Sequence, residues 1–207
     1  MHPHLAGASP RLTRLCYDLI AYPYGSVKTI ITRLRISARA FEKEMLDGCQ
    51  RGLILKSCAG ASTYLIPMPK VFEAFGFPCP YDLTSVEHSY YLGWNGFYLS
   101  QDPAIKTVYS ELKIRNAGHT SDLVTLGYNG TRWAYEVTLS PGNCLSNCTK
   151  YADTDFDRIV FICRDHKLRD AVKASCCSAG LDPQLLAKLD FWHFGKLLRR
   201  PRTSVTP

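Results

Sequence analysis

Two carboxylates stand where the chain can bring acids together. Asp122 lies in "HTSDLVTLGYNG" and Glu136 in "TRWAYEVTLS". The segments 121–128 and 133–139 read as strands, and Asn129-Gly130 between them is a strong hairpin signal. Neighbouring strands would carry both acids toward one end of the hairpin. Carboxylates held close repel each other unless something positive joins them. Mg2+ suits such a pair, because it takes hard oxygen ligands and keeps several waters. It would lower the pKa of a bound water and stabilise charge on a phosphate.

Other reactive patterns are thinner. The nine cysteines are odd in number, and most sit in apolar runs such as "RIVFIC". They read as reduced, buried small hydrophobes of a cytosolic protein. Cys144-x3-Cys148 could share a helical face and bind zinc, but no second pair or nearby His completes four ligands. None of the six histidines is spaced to partner a cysteine nucleophile, and no GxxxxGK[ST] phosphate loop occurs. Trp94, Trp133 and Trp192 read as core.

The 207 residues are 46% hydrophobic and 21% charged, which excludes disordered, collagen-like and coiled-coil chains. No apolar run approaches the ~20 residues of a membrane span, and the first thirty residues lack a signal-peptide pattern. The expectation is a cytoplasmic protein with no membrane partner. Charge is uneven along the chain. Residues 1–70 carry 10 Lys/Arg and 4 Asp/Glu, residues 71–195 carry 11 and 14, and residues 196–207 carry 4 and none. A basic head and tail around a mildly acidic middle suggest a polyanion held mainly by the head.

The head has a matching pattern of elements. Helical spacing runs over 11–21, until Pro23 and Gly25. Ser26 can cap a second helix with Val27, Ile30, Ile31 and Leu34 on its apolar face. After Arg35-Ile36, Ser37 can cap a third, to about Arg51, burying Phe41, Met45, Leu46 and Cys49. Two short apolar runs, 53–56 and 62–66, follow around the turn 57–61. Three helices and a hairpin, in "SVKTIITRLRISARAFEKEMLDGCQRGLILKS", resemble the winged-helix superfamily. That resemblance implies a helix in the major groove of double-stranded DNA. Arg39, Lys43 and Arg51 would face the duplex, and Arg33 and Arg35 would clamp its backbone. Glu42, Glu44 and Asp47 on the same helix argue against DNA and for protein contacts.

Beyond a Pro-rich connector at 71–84, the order is α-β-β-β-α-β-α-β over residues 85–195. This order resembles the restriction-endonuclease-like, or PD-(D/E)XK, fold. The expected architecture is therefore α/β (α+β): a winged helix-turn-helix at 1–70, a nuclease-like αβββαβ sheet domain at 85–198 and a basic tail at 199–207. The resemblance implies that Asp122 and Glu136 hold Mg2+. Ser121 replaces the family's Pro, and Thr138 stands where its Lys should be. Lys150, in "SNCTKYAD" on the following helix, is the candidate to reach that spot and orient the attacking water. Glu87, in "SVEHSYYLGW", matches the acid that the family's first helix often supplies. The combination is similar to nuclease-like proteins of plasmids and mobile elements, including the replication-relaxation group.

Two functions follow from this reading. One is Mg2+-dependent cleavage of DNA phosphodiesters in a plasmid, mobile-element or defence context. The other is a catalytically inactive DNA-binding accessory factor in replication, mobilisation or a nucleoprotein complex, which Thr138 favours. Either would act on double-stranded DNA, in a protein complex or as a homodimer. A protein-binding adaptor is the third class.

Overall fold

The structure, a computed structural model, describes residues 2–22, 26–59, 62–80, 85–113 and 120–194. The expected helix stop at Pro23 and Gly25, the hairpin tip 60–61 and the basic tail lie outside these residues. The protein is a mixed α/β chain of two compact units, dividing between Tyr90 and Tyr91.

Serine opens each of the first three α-helices. Helix α1, Pro10–Ala21, starts at Ser9, whose Oγ accepts from Leu12 N at 3.0 Å. Helix α2, Val27–Leu34, is capped by Ser26, and α3, Ala38–Gln50, by Ser37. Each cap satisfies an amide that the helix leaves without a partner. Between α2 and α3, Arg35 takes a left-handed conformation (φ 53°), which turns the chain sharply. The hairpin β1, Ile54–Ala59, and β2, Ser62–Pro67, is antiparallel. Strand β1 thus runs on into the expected turn. A bridge from Ser26 to Tyr64 ties the start of α2 to β2. Leu12, Leu15, Ile30, Leu34, Phe41, Ile54 and Leu65 form one apolar core.

Two further details depart from expectation. Residues 71–74 of the expected connector belong to a helix, α4 (Pro69–Ala74), because Val71 and Phe72 are buried. On α3, Leu46 is 52% exposed, whereas Glu44 is buried and accepts from Ser9 Oγ at 2.5 Å. A hydroxyl donated from α1 lets the acid occupy a position that an apolar side chain would otherwise fill.

The second unit is built on a five-stranded sheet. Helix α5, Val86–Ser100, runs across the division of the chain. Then come β3 (Ile105–Lys113), β4 (Thr120–Gly127), β5 (Arg132–Thr138), α6 (Cys144–Thr149), β6 (Arg158–Cys163), α7 (His166–Ser178), α8 (Pro183–Lys188) and β7 (Leu189–His193). The sheet order follows the chain order, β3 to β7. Strands β3, β4 and β5 form an antiparallel meander, while β6 and β7 add in parallel through helical crossovers. Val124, Ala134, Ile159 and Phe161 pack with Cys148, Tyr151, Val172 and Cys176 on one face. Tyr91 and Trp94 of α5 pack on Phe194, with ring centroids 4.2 and 4.9 Å apart. Among the described residues no helix is long and apolar enough to cross a membrane.

Ser9 caps α1 and also donates to Glu44. Ser9→Ala should therefore cost about 2–4 kcal/mol, the sum of a lost cap and a buried carboxylate short of a donor. Ser37→Ala, which loses a cap alone, should cost about 1 kcal/mol. Urea unfolding of the two variants measures the gap, and equal losses would show that the Ser9–Glu44 bond contributes nothing.

Candidate functional site

Strand alternation puts the two acids on one side of the sheet. Val124 pairs with Ala134 across β4 and β5, and both belong to the helix-covered core. Two residues further along each strand stand Asp122 and Glu136, which the period of two keeps on that same side. The β4–β5 pairing ends at Leu123 and Tyr135. Beyond it β4 stays with β3, and β5 stays with β6. The strands therefore part where the acids stand. Asp122 Oδ2 accepts from Val137 N at 2.8 Å, in place of a backbone carbonyl.

Helix α6 delivers the cation. Its buried Cys144 and Cys148 seat it on the core. Lys150 is its C-cap, so it stands at the end of the helix rather than within it as expected. The Lys150 ammonium lies 2.8 Å from Glu136 Oε1 and donates to Thr120 O at 2.9 Å. The Lys150 side chain is 9% exposed and that of Glu136 is 3% exposed. The next residue, Tyr151, is fully buried. Its hydroxyl bonds Glu136 Oε1 and lies 2.9 Å from Ser121 Oγ. The sequence reading did not include Tyr151 in the site, although it directly follows Lys150 in "TKYAD". Its distance in sequence from both acids hid the contact.

Burial pushes the Glu136 carboxyl up to about 7, and the neighbouring Asp122 charge adds to the rise. Lys150 and the Lys150 and Tyr151 hydrogen bonds oppose it without cancelling it. Burial and Glu136 also hold the Tyr151 hydroxyl well above its ordinary value, so it stays a donor. Thr138 is buried, and its hydroxyl reaches no closer than 3.5 Å to Glu136 O. It brings no positive charge to the acids; the ammonium beside Glu136 is that of Lys150.

Glu87 is elsewhere in the chain's organisation. It belongs to the first unit, where its Oε1 accepts from Ser57 Oγ of β1 at 2.5 Å. Among the described residues no group of three or more His, Cys, Asp or Glu side chains could hold a metal ion. Cys144 and Cys148 are buried thiols, and Cys148 Sγ lies 3.3 Å from Cys176 Sγ.

The expected DNA contacts separate into two groups. Arg33 forms a forked pair with Asp18, at 3.1 and 2.6 Å, and its guanidinium lies 5.0 Å from the Tyr22 ring centroid. Arg51 bonds Asp47 at 2.7 Å and the carbonyls of Ala6 and Gly7 at 3.1 and 3.0 Å. Both side chains fasten parts of the first unit together, a role the sequence reading missed. Arg35, Arg39 and Lys43 are exposed. Of the three acids on α3, Glu44 is buried and Asp47 is paired, which leaves Glu42 exposed beside the basic residues.

No protein-family model, curated protein or solved structure matches the chain.

The raised Glu136 carboxyl has a consequence for stability. An unfolded glutamate ionises near 4.5 and the folded one near 7. Its contribution is full below about 4.5 and declines as pH rises to about 7, by on the order of 3 kcal/mol. Glu136→Gln cannot ionise, so it should flatten the fall in urea midpoint between about pH 5 and 8 in EDTA. An unchanged slope would show that Glu136 ionises as an ordinary exposed acid.

Proposed function

We propose that the chain is a DNA-binding protein with a nuclease-like site for metal-dependent cleavage of DNA phosphodiesters. The observation that carries this is the Lys150–Glu136 ion pair at the fork between β4 and β5, with Asp122 near enough for its charge to act on Glu136. The donor set suits Mg2+, which binds through one or two carboxylates and water. The contacts of Glu136 with Lys150 and Tyr151 are both made at Oε1, which leaves Oε2 as the oxygen that would meet an ion. Asp122 and Glu136 would hold the ion, which when bound supplies charge stabilisation at a phosphate and an acidified water.

The protein's own groups have separate tasks in this reading. Val137 N fixes the Asp122 carboxylate by its Oδ2. Lys150 neutralises part of the buried negative charge and offers protons to a phosphate or an incoming water. Burial of Glu136 and Lys150 strengthens each of these interactions over its value in water. The helix order of the first unit, with Arg35, Arg39 and Lys43 exposed, supports duplex binding by a winged helix. The resemblance to plasmid and mobile-element proteins of the replication-relaxation group rests on the sequence motifs alone.

The test is a nicking assay on supercoiled plasmid with Mg2+. Wild type should convert it to open circles, and Asp122→Ala and Glu136→Ala should each abolish conversion. Cutting that survives both substitutions would overturn the site. DNA binding without cutting under any divalent metal would favour the inactive accessory factor, the reading to which Thr138 points.

For the head, Arg39→Ala and Lys43→Ala should each weaken binding to any duplex and lower the slope of log K against log salt by about 1. Arg33→Ala should instead lower the melting temperature, because it leaves the buried Asp18 without its partner. Fluorescence anisotropy over a salt series measures the first effect. Unchanged slopes would remove these side chains from the phosphate contacts.

A further inference from the structure

We propose that Tyr151 is a positioning residue of this site, holding Glu136 by Oε1 so that Oε2 is the oxygen presented to a divalent cation. The inference rests on the cation-holding reading above.

A glutamate has three side-chain torsions, and a buried one near a second carboxylate gains by turning away from it. Glu136 is prevented from turning by two donors on the same oxygen. The Lys150 ammonium approaches it at 2.8 Å, and the Tyr151 hydroxyl bonds it as well. The two donors differ in stiffness. Lys150 sits on a flexible stem and would be drawn toward a phosphate or displaced by an incoming cation. Tyr151 cannot follow. Its ring is fully buried, packs edge-on against Phe156 at 5.8 Å, and has its hydroxyl 2.9 Å from Ser121 Oγ on β4. One side chain from the end of α6 therefore ties β5, through Glu136, to β4, through Ser121, across the gap where the strand pairing has stopped. The Lys150 ammonium lies 5.2 Å from the same ring, so the tyrosine also supports the lysine.

Groups that orient metal ligands typically change affinity by ~10–100-fold when removed. The measurement is Mn2+ binding to the full chain by calorimetry, beside the thermal melt of the metal-free protein. Tyr151→Phe keeps the ring and deletes the hydroxyl. It should weaken Mn2+ binding by roughly tenfold, while Asp122→Asn and Glu136→Gln should abolish it. Ser121→Ala, which frees the far side of the hydroxyl, should give a smaller loss and keeps the test alive if Tyr151→Phe fails to fold. A merely structural tyrosine would shift the melt and leave the Mn2+ affinity of the folded protein unchanged. Wild-type affinity in Tyr151→Phe, with loss in the two acid variants, would overturn the positioning role and leave the cation site standing. Mn2+ binding that survives in both acid variants, or none in wild type, would overturn the site and this inference with it.

Discussion

The second unit's chemistry depends on one buried ion pair. Glu136 is placed on a central strand among apolar side chains, where an isolated carboxylate would be expensive. It is tolerated because Lys150 arrives from α6 and Tyr151 adds a hydrogen bond. The compensation is incomplete: the carboxyl is still held near 7, with burial and Asp122 on the unfavourable side. A purely structural core would remove this cost by placing an apolar residue at the position. A buried carboxyl held at this cost marks a candidate functional position.

The sheet topology makes that pairing available. An antiparallel meander puts Asp122 and Glu136 on adjacent strands, and the parallel addition of β6 requires a crossover after β5. That crossover contains α6. The element needed to close the sheet is thus the one that returns Lys150 and Tyr151 to the acids. Its short length, Cys144–Thr149, places both residues just past its end, where the chain turns back over the strands.

In the first unit a similar economy governs charge. Two of the five basic residues expected to meet DNA, Arg33 and Arg51, are drawn into internal pairs. Of the three acids expected to repel DNA, Glu44 is buried and Asp47 is paired with Arg51. The exposed remainder on and beside α3 is Arg35, Arg39, Lys43 and Glu42, which is net positive. A count of charges along the sequence does not reveal this, because it cannot say which charges cancel each other inside the fold.

Much of the architecture was legible because its signals are local. Serine caps, the Asn129-Gly130 turn and the unbroken apolar run of β6 each specify an element within a few residues. The paired acids were legible because a hairpin fixes its own register. Non-local contacts were not. Glu44 reads as an exposed helical acid until Ser9 approaches it from α1, and Leu46 reads as core until Glu44 takes the inward position. Tyr151 carries no local signal of its contact, because its hydroxyl meets Glu136 and Ser121 on strands far away in sequence. The helix α8 and the helical start of the connector were missed because six-residue helices carry little periodicity.

The most direct measurement of the central claim is an anomalous-difference map from crystals soaked in Mn2+. A peak is expected at the β4–β5 fork, within ligand distance of an Asp122 oxygen and of Glu136 Oε2, with the Tyr151 hydroxyl still on Oε1. A fully occupied Mn2+ elsewhere with that fork empty, or a fork filled by the Lys150 ammonium at saturating Mn2+, would contradict it.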